Sequence, residues 1–187
     1  MKRNTHFRLS HLAALLLLGA CGISTANADF VGAYTLDNWT LVNSPAFING
    51  SVSPSTGDAT MITLTSDTTE TGGFTDFFIT VPLSGTISFD WFFVNDDLPA
   101  FETSGYVLNG ARTELSLGGL PSVVVLPTMV AVVAGDVFGF YVESLDGIDA
   151  PGMLEISNFS APVPLPAAIW LLGSALLGLG VFRRRTA

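Results

Sequence analysis

The stretch Thr86–Val94 alternates in a way that only an extended strand can use. Ile87, Phe89, Trp91 and Phe93 fall on one face at period two, and Ser88, Asp90 and Phe92 fall on the other. Val137–Ser144 repeats the pattern, with Phe138, Phe140 and Val142 on one side. Between Asp29 and Pro162 turn signals recur about every 8–12 residues, and no stretch carries a helical period.

Other strands are expected at Phe30–Leu36, Trp39–Asn43, Ala59–Thr65, Phe74–Val81, Val123–Leu126, Met129–Val133 and Leu154–Ser160. In Ala59–Thr65, Met61 or its neighbours are expected to face the core. Tyr106–Asn109 and Thr113–Leu117 read as a hairpin around Asn109-Gly110, a dipeptide suited to a tight two-residue turn. Ser44–Asp58, rich in Ser, Pro and Gly, reads as loop. About ten short strands with aromatic-faced central members predict an all-β domain. An antiparallel β-sandwich is expected, with a jelly-roll arrangement as first choice.

The two ends differ from this body. Met1–Ala28 reads as a signal peptide. Lys2, Arg3 and Arg8 form its positive region, Leu12–Ala20 its short apolar region, and Ala26-Asn27-Ala28 an A-x-A cleavage site. Cleavage between Ala28 and Asp29 is preferred. The rival is Leu18-Gly19-Ala20-Cys21, which resembles a lipobox and would make Cys21 a lipidated first residue. Cys21 is the one cysteine, so cleavage after Ala28 leaves no thiol and no disulfide.

The last 25 residues, Val163–Ala187, have three parts. Val163-Pro164-Leu165-Pro166-Ala167 is punctuated by proline, the segment to Phe182 is almost wholly apolar, and Arg183, Arg184 and Arg185 form a basic stop. Leu165–Phe182, at roughly 1.5 Å per residue, makes a helix about 27 Å long. That length sits at the short end of what spans a hydrocarbon core of about 30 Å. Pro166 suits a first helical turn, and Trp170 an interface. A buried core helix seldom ends in three arginines, so a membrane span with a cytoplasmic Arg cluster is the expectation.

This tail resembles the PEP-CTERM sorting domain in its VPLPA variant. The resemblance is carried by Val163–Ala167, the Trp170-Leu171-Leu172-Gly173 run and Arg183–Arg185. It implies an exported protein of a Gram-negative bacterium with exopolysaccharide genes. It also implies recognition near the proline motif by an exosortase, a membrane-embedded transpeptidase-like enzyme. The expected organisation is therefore signal peptide 1–28, sandwich 29–162, and sorting signal 163–187 with its transmembrane helix at 165–182.

Charge narrows the function classes. Six of the seven basic residues lie in the two ends, while all sixteen acidic residues lie between Asp29 and Glu155. The body holds Arg112 alone against those sixteen, a net of −15. That excludes nucleic acid as a partner, since its phosphates need clustered Lys and Arg. Both histidines, His6 and His11, fall in the signal peptide, and the body has no lysine. A Ser-His-Asp triad, a Cys-His pair, a Schiff-base lysine and the usual zinc ligands are thereby absent.

Three weaker chemistries remain. Asp90, Asp96, Asp97 and Glu102 would supply the two carboxyls of a glycoside hydrolase. Asp96, Asp97, Asp146 and Asp149 are candidate calcium ligands in two loops, although ordinary acidic turns are preferred and no cofactor is expected. Trp39, beside a turn, is the candidate glycan-stacking residue, whereas Trp91 among phenylalanines is expected in the core. The leading expectation is a non-enzymatic protein of the cell surface or extracellular matrix, associated with exopolysaccharide or biofilm. It would be held transiently at the inner membrane and processed by an exosortase. A carbohydrate-binding β-sandwich module is the alternative, and a carboxylate-dependent glycoside hydrolase the second alternative.

Overall fold

The computed structural model describes residues 26–44, 49–95, 101–116, 127–148, 150–164 and 172–175. In chain order the strands are β1 (Ala26–Ala28), β2 (Thr40–Asn43), β3 (Ser51–Ser53), β4 (Met61–Thr65), β5 (Gly73–Thr80) and β6 (Gly85–Val94). They continue with β7 (Glu102–Leu108), β8 (Ala111–Glu114), β9 (Thr128–Val132), β10 (Val137–Ser144) and β11 (Met153–Val163). Every pairing among them is antiparallel. One sheet runs β3-β4-β11-β6-β9, with β1 added to β11, and the other runs β2-β5-β10-β7-β8. The all-β sandwich expectation holds for these residues.

Alternation explains the core. Ile87, Phe89, Trp91 and Phe93 of β6 are buried, as are Leu154 and Ile156 on neighbouring β11 and Ile62 and Leu64 on β4. Facing them are Phe77 and Ile79 of β5 and Phe138, Phe140 and Val142 of β10. Met61 is exposed; its two alternate neighbours face in. Phe89 meets Phe140 edge to face with centroids 4.9 Å apart, joining the two sheets. Asn109 and Gly110 take φ of 51° and 81°, the two left-handed positions of a tight hairpin turn between β7 and β8.

Three departures have physical causes. Phe30–Leu36 is not a strand: Phe30 makes one bridge to Ala59, and the chain then coils through two 3₁₀ turns, Gly32–Tyr34 and Leu36–Asn38. Gly32, at φ +60°, breaks the extended run. Ser44–Asp58 is not all loop, because β3 adds an edge strand that tucks Val52 into the core. The last strand outruns its expected end. A bulge with Asn158 at φ 48° shifts the β11–β6 register between Ser157 and Ser160. The extra residue turns Phe159 and Ala161 inward after Leu154 and Ile156, and β11 continues to Val163. Pro162 is thus a buried strand residue, not the start of a linker, and its carbonyl accepts the Tyr34 hydroxyl at 3.3 Å.

The expected strand Val123–Leu126, Cys21, Leu165–Ala167 and Arg183–Arg185 lie outside the described residues. Of the expected span, 172–175 are described and are helical. Among the described residues no helix is long and apolar enough to cross a membrane.

Candidate functional site

Trp39 is not an exposed platform. It is 7 % exposed, stacked on Phe77 at 5.0 Å and on Phe140 at 6.0 Å, with Phe30 and Phe159 against it. Its indole N–H donates to the Tyr34 carbonyl at 3.0 Å. The 3₁₀ turn before it swings the ring inward, and it lies between the two sheets over Phe77 of β5 and Phe140 of β10. Trp91 is buried as expected.

The acidic candidates that are described, Asp90, Glu102 and Asp146, are each held by partners of their own. Asp90 lies half-buried on the outer side of β6 and accepts the Asn158 amide at 2.7 Å. Glu102 is wholly buried at the start of β7 and accepts the Ser66 hydroxyl at 2.9 Å. That hydroxyl in turn accepts the Gly152 N–H at 2.9 Å. Asp90 and Glu102 therefore do not flank a common bond. Asp146 accepts the Ile148 N–H at 3.1 Å, a local turn contact. Asp96, Asp97 and Asp149 lie outside the described residues. Among the described residues no group of three carboxylates, histidines or cysteines is placed to hold a metal ion.

The site that the fold does build lies on the outer face of the β2-β5-β10-β7-β8 sheet. The strand registers align Thr40, Phe78, Gly139, Val107 and Arg112 in one row across five strands. The adjacent row is Val42, Asp76, Tyr141, Gly105 and Glu114. Phe78 lines two cavities. One, of about 260 Å³, is bordered by Ala33, Asn38, Thr40 and Thr80. The other, of about 180 Å³, is bordered by Asp76, Val107, Gly110, Val137 and Gly139.

Glycine makes the second cavity. A Cβ on Gly139 would come within 2.6 Å of the Phe77 carbonyl and 2.7 Å of the Phe78 Cβ, so only glycine lets Phe78 lie over this strand. Gly105 does the same for Tyr141, whose ring edge would sit 2.9 Å from an added Cβ.

Arg112 closes the charged end. Its Nη2 donates to both Asp76 oxygens at 2.9 and 3.1 Å, and its Nη1 to Glu143 at 2.9 Å. Its guanidinium lies 4.4 Å from the Phe74 ring centre and 4.6 Å from that of Tyr141. The body's single cation is thus held by two carboxylates and two rings. Burial pushes the Asp76 carboxyl above its ordinary value; the Arg112 charge and hydrogen bond pull against that, and Glu143 adds to it. Burial, reinforced by Glu114, pushes the Tyr141 hydroxyl up to about 12. The Tyr141 hydroxyl is thus not tuned as an acid or base near neutrality. The arrangement supplies a ring wall, aliphatic borders and a fixed polar edge, which are the parts of a binding groove.

Fold and groove together define an antiparallel β-sandwich domain with a recessed aromatic face. No protein family and no characterised protein matches the sequence. Among solved structures the chain is similar to a family 35 carbohydrate binding module from an environmental isolate, with 12 % identity and a TM-score of 0.34. The match covers 68 % of this chain and 99 % of that one. A superposition that loose says nothing about what this chain binds.

Proposed function

We propose that the protein is an exported, non-enzymatic component of the cell surface or extracellular matrix. Its tail holds it in the inner membrane until an exosortase cuts near Val163–Ala167. The single observation that carries this reading is the order of the tail: proline motif, apolar segment, arginine stop. The end of the domain supports it, because β11 runs to half-buried Val163 and the next residue, Pro164, is exposed. Val163, the first residue of the motif, is the last of the sheet, and Pro164 follows it outside the strand. The sandwich itself is read as a jelly roll. Among the described residues, strands β4 to β11 lie in the orders 4-11-6-9 and 5-10-7-8, so the chain crosses between sheets at each step from one described strand to the next except the β7–β8 hairpin.

Intact-mass measurement of the surface form, from a host bearing an exosortase, tests both ends at once. The expected product begins at Asp29 and has lost the Ala167–Ala187 region. Full-length, arginine-ended protein at the surface would overturn the reading.

A second reading, carbohydrate binding, is favoured by the paired cavities about Phe78. A flat ring beside hydrogen-bonding edges suits a sugar, whose faces are apolar and whose rim is hydroxylated. Phe78→Ala should leave the far-UV spectrum and melting behaviour of the domain intact. It should weaken glycan binding, on an array or by calorimetry, by about tenfold or more, the equivalent of ~1.4 kcal/mol. Undiminished binding by that variant, or binding that depends on another face, removes this reading.

A further inference from the structure

The two expected cut sites, 135 residues apart in the chain by their numbers (Ala28 and Val163), are neighbours in the fold. Strand β1 is the A-x-A segment itself, and its register against β11 is Ala26 to Val163, Asn27 to Pro162 and Ala28 to Ala161. Strand β4 stops pairing with β11 at Ser157, and β6 keeps its place beside it, with Gly85 against Pro162. The segment Ala161–Val163 is therefore covered by β1.

Cleavage after Ala28 cuts this strand away from the domain. A three-residue strand has too little pairing to stay without its covalent tether, since even a complete two-strand hairpin is marginal in water. Its departure leaves a short open edge, and an open edge is a template for another strand. That edge ends on the first residue of the sorting motif.

We propose that signal removal uncovers the Ala161–Val163 edge and that the enzyme which cuts the tail docks there by adding an extended segment of its own. This rests on the exosortase reading and on cleavage at Ala28. It adds an order of events: the amino-terminal cut licenses the carboxyl-terminal one. The occupant follows from the site. The groove left by β1 accepts backbone in antiparallel pairing, and it adjoins the bond region that the enzyme must reach.

The test is a cross-link that keeps β1 in place after the amino-terminal cut. Asn27 and Pro162 face one another in register, and Asn27 is the middle residue of the cleavage site. Full-length Asn27→Cys/Pro162→Cys, in a Cys21→Ser background, is expressed in an exosortase-bearing host and followed by pulse-chase on reducing and non-reducing gels. The cross-linked chain should lose its tail about tenfold more slowly than the two single-cysteine controls, as expected where under a tenth of molecules present the edge. Dithiothreitol should restore the rate. A second variant, Ala28→Leu, blocks signal cleavage without a cross-link and should also keep its tail.

Tail loss at the control rate from the cross-linked or the uncut chain overturns the proposal. So does a wild-type intermediate that has lost its tail but kept its signal peptide. A wild-type amino terminus at Cys21 overturns it too, because β1 then stays with the domain. Controls that never lose the tail sink the exosortase reading instead, a result separable from the others by the same gels.

Discussion

Trp39→Ala should destabilise the domain by about 3–5 kcal/mol, the range for truncating a large buried aromatic. The ring contacts four others, Phe30, Phe77, Phe140 and Phe159, which come from four separate segments of the chain. Its loss opens a cavity between the sheets and leaves the buried Tyr34 carbonyl without its indole donor. Domains of this kind are stable by only roughly 5–15 kcal/mol in total, so the change removes a large share. Urea denaturation of the secreted domain, wild type against variant, measures it. Glycan binding, once corrected for the folded fraction, should be unchanged. A variant with near-native stability that has lost binding would return Trp39 to the surface role that its sequence neighbours suggest.

What could be read in advance follows from how local each signal is. In Thr86–Val94 and Val137–Ser144 the buried face is written into consecutive residues, and both strands form with those faces inward. Asn109-Gly110 encodes its own turn through two left-handed positions. Trp39 was not legible because Asn38 and Thr40, both exposed, argue for the surface, while the rings that bury it lie far away in sequence. The Asn158 bulge hides for a related reason: alternation gives the period of a strand but not the point where it slips by one residue. The Phe78 groove left a usable signal. Phe77 and Phe78 are adjacent, so burying one in a strand presents the other outside, and Gly139 in a row of aromatics marks a close approach on that face. The register that brings Arg112 across to Asp76 and Glu143 required the sheet order itself. So did the meeting of Ala26–Ala28 with Ala161–Val163.

Two truncations should separate what folds the protein from what addresses it. Ending the chain after Val163 removes the exposed Pro164 and everything beyond, but keeps all of β11. The 29–163 fragment, exported with its signal peptide, should fold cooperatively and appear as soluble protein rather than in the membrane fraction. Ending after Gly152 should abolish folding. Strand β11 is central in its sheet, paired to β4 on one flank and β6 on the other. Its Leu154, Ile156, Phe159 and Ala161 are each at most 2 % exposed. Burying the three large ones contributes roughly 1.5–3 kcal/mol each, and losing them also leaves two strands with unpaired inner edges. That sum approaches the stability of a whole domain. Circular dichroism, thermal melts and fractionation of the host cells check both fragments. Membrane retention of 29–163 equal to that of the full chain would mean that the tail does not set the destination. If 29–163 failed to fold while 26–163 succeeded, β1 would be a permanent part of the sandwich. Cleavage at Ala28 would then be incompatible with a stable product, and the order of cuts drawn from the β1–β11 pairing would fall with it.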